Sequence, residues 1–218
     1  MNPTLLPGLT DALLVVLVLL NLFCLGTSRV GALIRAVGIQ GLLLGLLSFL
    51  VHRHASAWTI AVAFLTAGIK GVAIPRVLFR AMRDVRIKRE IEPFIGLTTS
   101  MVLGAVGTAL AIGFAERLPL RAADASSLIV PASLSTVLTG FLLLTTRLKA
   151  ITLIAGYVLL ENGVFVFGLL LLDAVPFFVE VGVLLDLVAG IFVMGIIVNH
   201  IQREFASIDT SHLAELRD

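Results

Sequence analysis

Residues 148–201 read LKAITLIAGYVLLENGVFVFGLLLLDAVPFFVEVGVLLDLVAGIFVMGIIVNHI, which predicts two apolar helices back to back. Each predicted helix carries an acid near its middle, Glu161 in the first and Asp186 in the second. An ionisable side chain in the hydrocarbon of a bilayer costs at least about 2.5–3.5 kcal/mol, and such residues usually serve a function. The two acids therefore favour proton or cation handling, and a role as hydrogen-bonded packing residues is the alternative.

The composition indicates a membrane protein with almost no extramembrane domain. Hydrophobic residues make up 59% of the chain and charged residues only 14%, whereas soluble domains have roughly 45–50% and 25%. A single cysteine, Cys24, excludes an intrachain disulfide and a cysteine-only metal cluster. Cys24 lies in an apolar run, which favours a small buried hydrophobe. The net charge of +2 does not indicate a nucleic-acid partner, because the basic residues are clustered as in membrane proteins.

The apolar runs predict an all-α, polytopic membrane protein with about seven transmembrane helices, since a spanning helix needs about 20 mostly apolar residues. We expect spans at about 5–26, 31–51, 57–79, 94–115, 128–146, 150–172 and 177–201. The chain divides into an N-terminal five-helix membrane part (1–146), a two-helix part (147–201) and a cytoplasmic tail (202–218). The turns are too short to hold a soluble catalytic domain.

The distribution of Lys and Arg predicts the orientation, because cytoplasmic loops of membrane proteins carry an excess of these residues. A basic segment follows the third span and includes Arg80, Arg83, Arg86, Lys88 and Arg89. Placing it in the cytoplasm puts the N-terminus outside, the C-terminus inside and most of the 16 basic residues inside, Arg147 and Lys149 in the fifth turn among them. The segment is interpreted mainly as a topology determinant. Docking of a partner protein or of an anionic lipid headgroup is the alternative.

The third span, AWTIAVAFLTAGIKGVAIPRVLF, carries Lys70 far from either predicted end. Pro75 removes a backbone hydrogen bond, which predicts a kink in this helix. A lysine beside a helix turn that breaks easily favours an ion pathway, or a counter-charge to Glu161 or Asp186. The alternative is that the long side chain snorkels to the inner headgroups.

Three residues are candidates for supporting roles near the two acids. Tyr157 lies four residues before Glu161 and on the same helix face, so its hydroxyl could bond the carboxyl group. Asn162 follows Glu161 directly. Glu180, one turn into the last span, is interpreted as an access residue or as an interfacial acid.

Two other patterns favour structural roles. Gly38, Gly41 and Gly45 in the second span are spaced to let another helix approach closely. His52 and His54 are separated by one residue, but no further ligands accompany them, so no metal site is predicted.

The C-terminal part resembles known membrane subunits. Residues 147–209 resemble the three-helix K-type subunit of respiratory complex I and the C-type subunit of multisubunit Na⁺/H⁺ antiporters. The matching features are a basic start, a glycine before Glu161-Asn162, Asp186 four residues before a glycine, and the end NHIQREFASIDT. Over the whole chain the closer resemblance is to the hydrogenase-4 component E family, membrane subunits of energy-converting nickel–iron hydrogenases and formate hydrogenlyases. It is carried by LLENGVFVFGLLL, GVLLDLVAGIFVMGIIVNHI and REFASIDTSHLAELRD.

The resemblance implies that Glu161 and Asp186 are proton-relay acids, with Lys70 as a further candidate on the strength of its position. It implies a subunit of the prokaryotic cytoplasmic (inner) membrane that helps to couple electron transfer to proton or Na⁺ translocation. The aspartate at position 186 departs from the glutamate of the complex I pattern, and the turn between the two helices is shorter. Both differences affect the expected relay geometry.

The implied partners are membrane lipid, antiporter-like membrane subunits, a hydrogenase-like large subunit and iron–sulfur subunits. The nickel–iron centre and the iron–sulfur clusters are expected in those partners. This chain has no cysteine cluster, no paired intramembrane histidines and no nucleotide motif, so we expect it to bind no cofactor and to have no catalytic centre of its own. Two alternatives remain, a scaffold subunit without an ion path and a stand-alone secondary cation transporter.

Overall fold

The structure, a computed structural model, describes residues 5–51, 57–84, 94–118 and 128–169. Nearly all of these residues are helical, and no strand occurs among them. The elements are α1 (Leu5–Gly26), α2 (Val30–Val51), α3 (Ala57–Thr66), a π-helix (Ala67–Ala73, hereafter the π segment), α4 (Ile74–Asp84), α5 (Leu97–Ala115), α6 (Ile129–Thr146) and α7 (Ala150–Gly168). The prediction of an all-α protein is confirmed for this part of the chain.

Five of the described helices, α1, α2, α5, α6 and α7, are long and apolar enough to cross a membrane. They coincide with the predicted first, second, fourth, fifth and sixth spans. The predicted third span forms α3, the π segment and α4, which follow one another without an intervening loop. The predicted seventh span and the tail lie outside the described residues, and so do Glu180 and Asp186.

Glycines bring α6 and α7 into backbone contact. A Cβ added at Gly163 on α7 would lie 2.6 Å from the backbone nitrogen of Val137 on α6. A Cβ added at Gly140 on α6 would overlap the backbone of Leu160 on α7. Small residues allow this approach in membrane helices, where packing and hydrogen bonds drive association. The position of α7 beside α6 therefore depends on these glycines.

A second glycine contact joins α2 to the predicted third span. A Cβ at Gly38 would lie 2.8 Å from Cγ of Pro75, and a Cβ at Gly41 would overlap the carbonyl group of Lys70. Gly45 packs in the same way on the first residue of the π segment. The packing role predicted for these three glycines is confirmed. Their contact holds the backbone of the π segment against α2.

Two apolar clusters fill the interior of the described helices. The first cluster includes Leu25, Leu33, Val37, Leu143 and Leu159. The second includes Leu14, Leu17, Leu44, Leu47 and Val166. Helices α1, α2, α6 and α7 contribute to both clusters, so the clusters are stacked along these helices. Cys24 is fully buried in the first cluster, as its apolar surroundings in the sequence predicted.

Candidate functional site

A layer of buried polar side chains separates the two apolar clusters. Five of its members lie, along their own helices, between a residue of one cluster and a residue of the other. The members are Asn21 on α1, Gln40 on α2, Thr136 on α6, Glu161 and Asn162 on α7, and Lys70, which pairs with Glu161. We call these six residues the polar layer. Burying a polar group costs free energy unless the group is hydrogen-bonded or paired. The stability of the bundle therefore depends on the partners of these six side chains.

Lys70 and Glu161 form an ion pair within the polar layer. Nζ lies 3.1 Å from Oε1, and only 8% and 6% of the two side chains are exposed. The Lys70 ammonium also lies over the ring of Phe165, 5.2 Å from its centroid. An opposite charge and an aromatic face both stabilise an ammonium group away from water. Among the roles considered for Lys70, this geometry matches that of a counter-charge to Glu161.

The backbone around Lys70 forms a π-helix and packs closely against α2. Lys70 is the middle residue of the π segment, and short π-helices occur frequently at functional sites. Pro75, just beyond the segment, lacks the N–H that an upstream carbonyl would otherwise accept from. The residues just before Pro75 form the π segment, and the kink predicted at this proline stays a prediction. Contact with Gly41 then holds the Lys70 carbonyl against α2.

The structure describes the surroundings of some predicted site residues and not of others. Tyr157 is half-buried one turn before Glu161, and Asn162 is fully buried. Arg80 and Arg83 are exposed on α4. The remaining candidates, Arg86, Lys88, Arg89, Glu180 and Asp186, lie outside the described residues. The site that the structure brings together thus consists of Lys70, Glu161 and their immediate neighbours.

Three residues to which the sequence analysis assigned no role form a hydrogen-bonded chain in the polar layer. Asn21 Nδ2 donates to Thr136 Oγ1 at 2.8 Å, and Gln40 Nε2 donates to Asn21 Oδ1 at 2.8 Å. Thr136 Oγ1 donates in turn to the carbonyl of Ala132 at 2.7 Å. The signal available in the sequence was a polar residue inside each of three apolar runs. The partners come from three helices, so the chain of bonds itself is a property of the folded bundle.

Arg147, expected as one of the basic residues that orient the chain, is only 3% exposed. Its Nη2 donates to the carbonyl of Leu25 at 2.7 Å, next to the C-terminus of α1. The last carbonyls of a helix have no partner within the helix, and a cation suits the negative end of the helix dipole. Burial lowers the pKa of the Arg147 guanidinium, although an arginine remains protonated in proteins. Arg147 therefore fixes the end of α1 to the end of α6.

The described ranges contain no group of three or more His, Cys, Asp or Glu residues that could hold a metal ion. The polar layer offers one carboxyl group, one amine, three amides and one hydroxyl group. Such a set of groups can bind and orient small polar molecules, and it can exchange protons.

Comparison with known proteins identifies a relative of nearly equal extent. The chain is 28% identical to the uncharacterized protein Rv0085 of Mycobacterium tuberculosis over 204 residues, which is 93% of each chain. No family model and no solved structure matches the sequence.

Proposed function

We propose that this protein is a multi-pass subunit of the prokaryotic cytoplasmic membrane that relays protons, or Na⁺, through buried ionisable side chains. In this proposal it belongs to an energy-converting hydrogenase or a complex-I-like oxidoreductase and helps to couple electron transfer to ion translocation. The observation that carries the proposal is the Lys70–Glu161 ion pair, buried between two apolar clusters.

Stability alone does not account for such a pair. Replacing a buried ion pair by well-packed apolar residues is often neutral or stabilising, so a chain this rich in Leu and Val gains little from Lys70 and Glu161 as packing residues. A carboxyl group and an amine at 3.1 Å can instead exchange one proton and switch between a charged and a neutral pair.

The magnitudes involved suit a relay. At 4 Å and an effective dielectric constant of about 20, two opposite charges attract by about 4 kcal/mol. Moving one charge across a potential of 100 mV is worth about 2.3 kcal/mol. A charge arriving nearby therefore acts on the pair about as strongly as full passage across such a potential, and it can shift the protonation of the pair.

The remaining expectations from the sequence belong to the same proposal. The chain has seven spans, with the N-terminus outside and the C-terminus inside. Asp186 acts as the second relay acid, Tyr157 and Asn162 support Glu161, and Glu180 gives access from the outer side. The exposed Arg80 and the basic residues that follow it contact lipid headgroups or a partner subunit. The nickel–iron centre and iron–sulfur clusters belong to partner subunits.

A scaffold subunit without an ion path is the second candidate, and the surface of α5 favours it. Among the residues of α5 only Ser100, Gly104 and Ala111 are buried, so most of this apolar helix is available to lipid or to a neighbouring subunit. A subunit whose role is assembly needs such an apolar face and needs no ion path.

The first experiment is purification of the tagged protein from its native membrane in mild detergent, followed by mass spectrometry and nickel and iron analysis. Co-purifying antiporter-like, hydrogenase-like and iron–sulfur subunits would support the proposal. Isolation of the chain alone would refute membership of such a complex and would direct the work to ion flux in liposomes.

The second experiment measures ion translocation and electron transfer in the same complex carrying Glu161→Gln or Asp186→Asn. The expected result, measured on the fraction of the complex that assembles, is retained electron transfer with reduced translocation. Glu116→Gln is the matched control, because Glu116 is exposed at the end of α5. Unchanged translocation in both test variants would favour the scaffold.

A further inference from the structure

Two amide side chains in the polar layer are fully buried yet incompletely bonded. Gln40 and Asn162 both have 0% of their surface exposed. Within the described part of the chain, Gln40 Oε1, Asn162 Oδ1 and Asn162 Nδ2 have no hydrogen-bond partner. More than about nine in ten buried polar groups in proteins are bonded to protein or to ordered water. Three such atoms in one layer therefore require an explanation.

The two amides occupy equivalent positions on α2 and α7. Each has a member of the first apolar cluster three residues before it and a member of the second cluster four residues after it. Residues at these spacings share a helix face, so both amides lie on the faces that build the interior, at the level where the clusters meet. Glu161 directly precedes Asn162, and Gln40 is bonded to Asn21.

We propose that Gln40 and Asn162 hold ordered water in the polar layer, and that this water carries protons between Glu161 and the Asn21–Thr136 side of the layer. The proton path, unlike the water site, rests on the proposed relay function. A buried water typically makes about three hydrogen bonds. The unpaired atoms offer bound water two N–H donors, both on Asn162 Nδ2, and two carbonyl acceptors, which is a complementary set.

The same atoms are a poor set for a sodium ion. A hard cation takes oxygen ligands, whereas Asn162 Nδ2 presents hydrogen atoms. The Glu161 carboxylate already pairs with the Lys70 ammonium group, so a sodium ion would have to compete with that ammonium for it. Water accepts from the amide N–H and donates to the amide oxygens without conflict.

The proton step balances without a cofactor. A protonated Glu161 gives its proton to the first water, so the carboxyl O–H bond breaks and a water O–H bond forms. That water releases one of its other protons to the next water, the excess proton leaves the layer for bulk water, and Glu161 remains as a carboxylate paired with the Lys70 ammonium. The amides and Thr136 orient the waters and neither gain nor lose a proton. This gives α1, α2 and α6 a part in the relay, beyond the two-helix part that carries the resemblance.

X-ray radiolytic labelling of the intact protein in nanodiscs with ¹⁸O water tests the proposal, because hydroxyl radicals form where water is bound. We expect labelling at Leu159 and Val166, the two neighbours of Asn162 on its helix face. Leu14 and Leu33 are equally buried but lie about two turns from the layer, and they serve as internal references with background labelling.

The variants Asn162→Leu and Gln40→Leu should lower the labelling of Leu159 several-fold and lower proton translocation. Asn162→Ser keeps a hydrogen-bonding group in case the leucine variant fails to fold. Thr145→Val is the matched control, since Thr145 is exposed and its hydroxyl donates to the carbonyls of Phe141 and Leu142 in its own helix.

Labelling of Leu159 no greater than that of Leu33 would show a dry layer and would overturn the proposal. Loss of labelling with unchanged translocation would overturn the proton path. If Glu161→Gln leaves translocation unchanged while Leu159 is labelled, the path fails together with the proposed function, and the hydrated amide site stands.

Discussion

Lys70 in the π segment and Glu161 in α7 neutralise each other inside the helix bundle, with Nζ 3.1 Å from Oε1. Neither helix could bury its charge alone at acceptable cost, because an isolated charge in a low-dielectric interior is strongly unfavourable. The pair is therefore an interdependent unit, and it ties α7 to the helix that contains the π segment. This interdependence has a measurable consequence for stability.

The first prediction concerns single and double removal of the pair. Lys70→Met and Glu161→Gln should each lower the free energy of unfolding by about 3–5 kcal/mol, because each leaves a buried charge without its partner. The double variant should lose less than the sum of the two single losses. Thermal unfolding of the purified protein in one detergent provides all four values of the double-mutant cycle.

Glu116→Gln is the control for this cycle. Its carboxyl group is exposed at the end of α5, so the change in stability should stay within about 0.5 kcal/mol. Losses that simply add in the double variant would mean that Lys70 and Glu161 do not stabilise each other, contrary to the geometry.

Much of the helical framework could be predicted from the sequence, because an apolar run is a local property. The predicted fifth span at 128–146 coincides with the helix Ile129–Thr146, and the predicted first span at 5–26 with the helix Leu5–Gly26. The glycines of α2 were recognisable as a packing stripe for the same reason. Their spacing on one helix face is visible without knowing the partner helix.

The partners within the site could not be predicted in this way. Lys70 had two candidate counter-charges in the sequence, and the observed pairing with Glu161 depends on which helices are neighbours. Gln40 is one polar residue in a long apolar run, and only the approach of α1 gives it Asn21 as a partner. Arg147 fitted a pattern of orienting charges, yet its burial against α1 follows from tertiary packing.

The second prediction concerns the contact between α2 and the π segment. Gly41→Ala should lower the free energy of unfolding by about 1–3 kcal/mol, because the added methyl group would overlap the carbonyl of Lys70. Gly68→Ala is a matched control in the π segment itself. A Cβ there meets nothing within 4 Å, and alanine favours a helix over glycine by about 0.8–1 kcal/mol. Equal losses in the two variants would contradict the assigned contact.

The third prediction concerns the end of α1. Arg147→Gln should lower the free energy of unfolding by about 1.5–3 kcal/mol, the usual range for a hydrogen bond to a charged group. The loss should be local, so amide hydrogen exchange near Cys24 and Leu25 should accelerate, whereas exchange in the middle of α5 should not change. Arg117→Gln, at an exposed position after α5, is the control. Unchanged exchange at the end of α1 would show that Arg147 does not hold it.

The fourth prediction concerns the orientation of the chain in the membrane, measured by cysteine accessibility. Cys24 is fully buried, so Cys24→Ala should give a folded background without a native thiol. Arg83 on α4 and Arg117 after α5 are both exposed and lie on opposite sides of one predicted span, so each suits a single cysteine. In the proposed topology, a membrane-impermeant maleimide should label Arg117→Cys on intact spheroplasts and Arg83→Cys only on inverted vesicles. The reverse pattern would invert the orientation. Labelling of both from the same side would mean that α5 does not cross the membrane, and the count of seven spans would then fail.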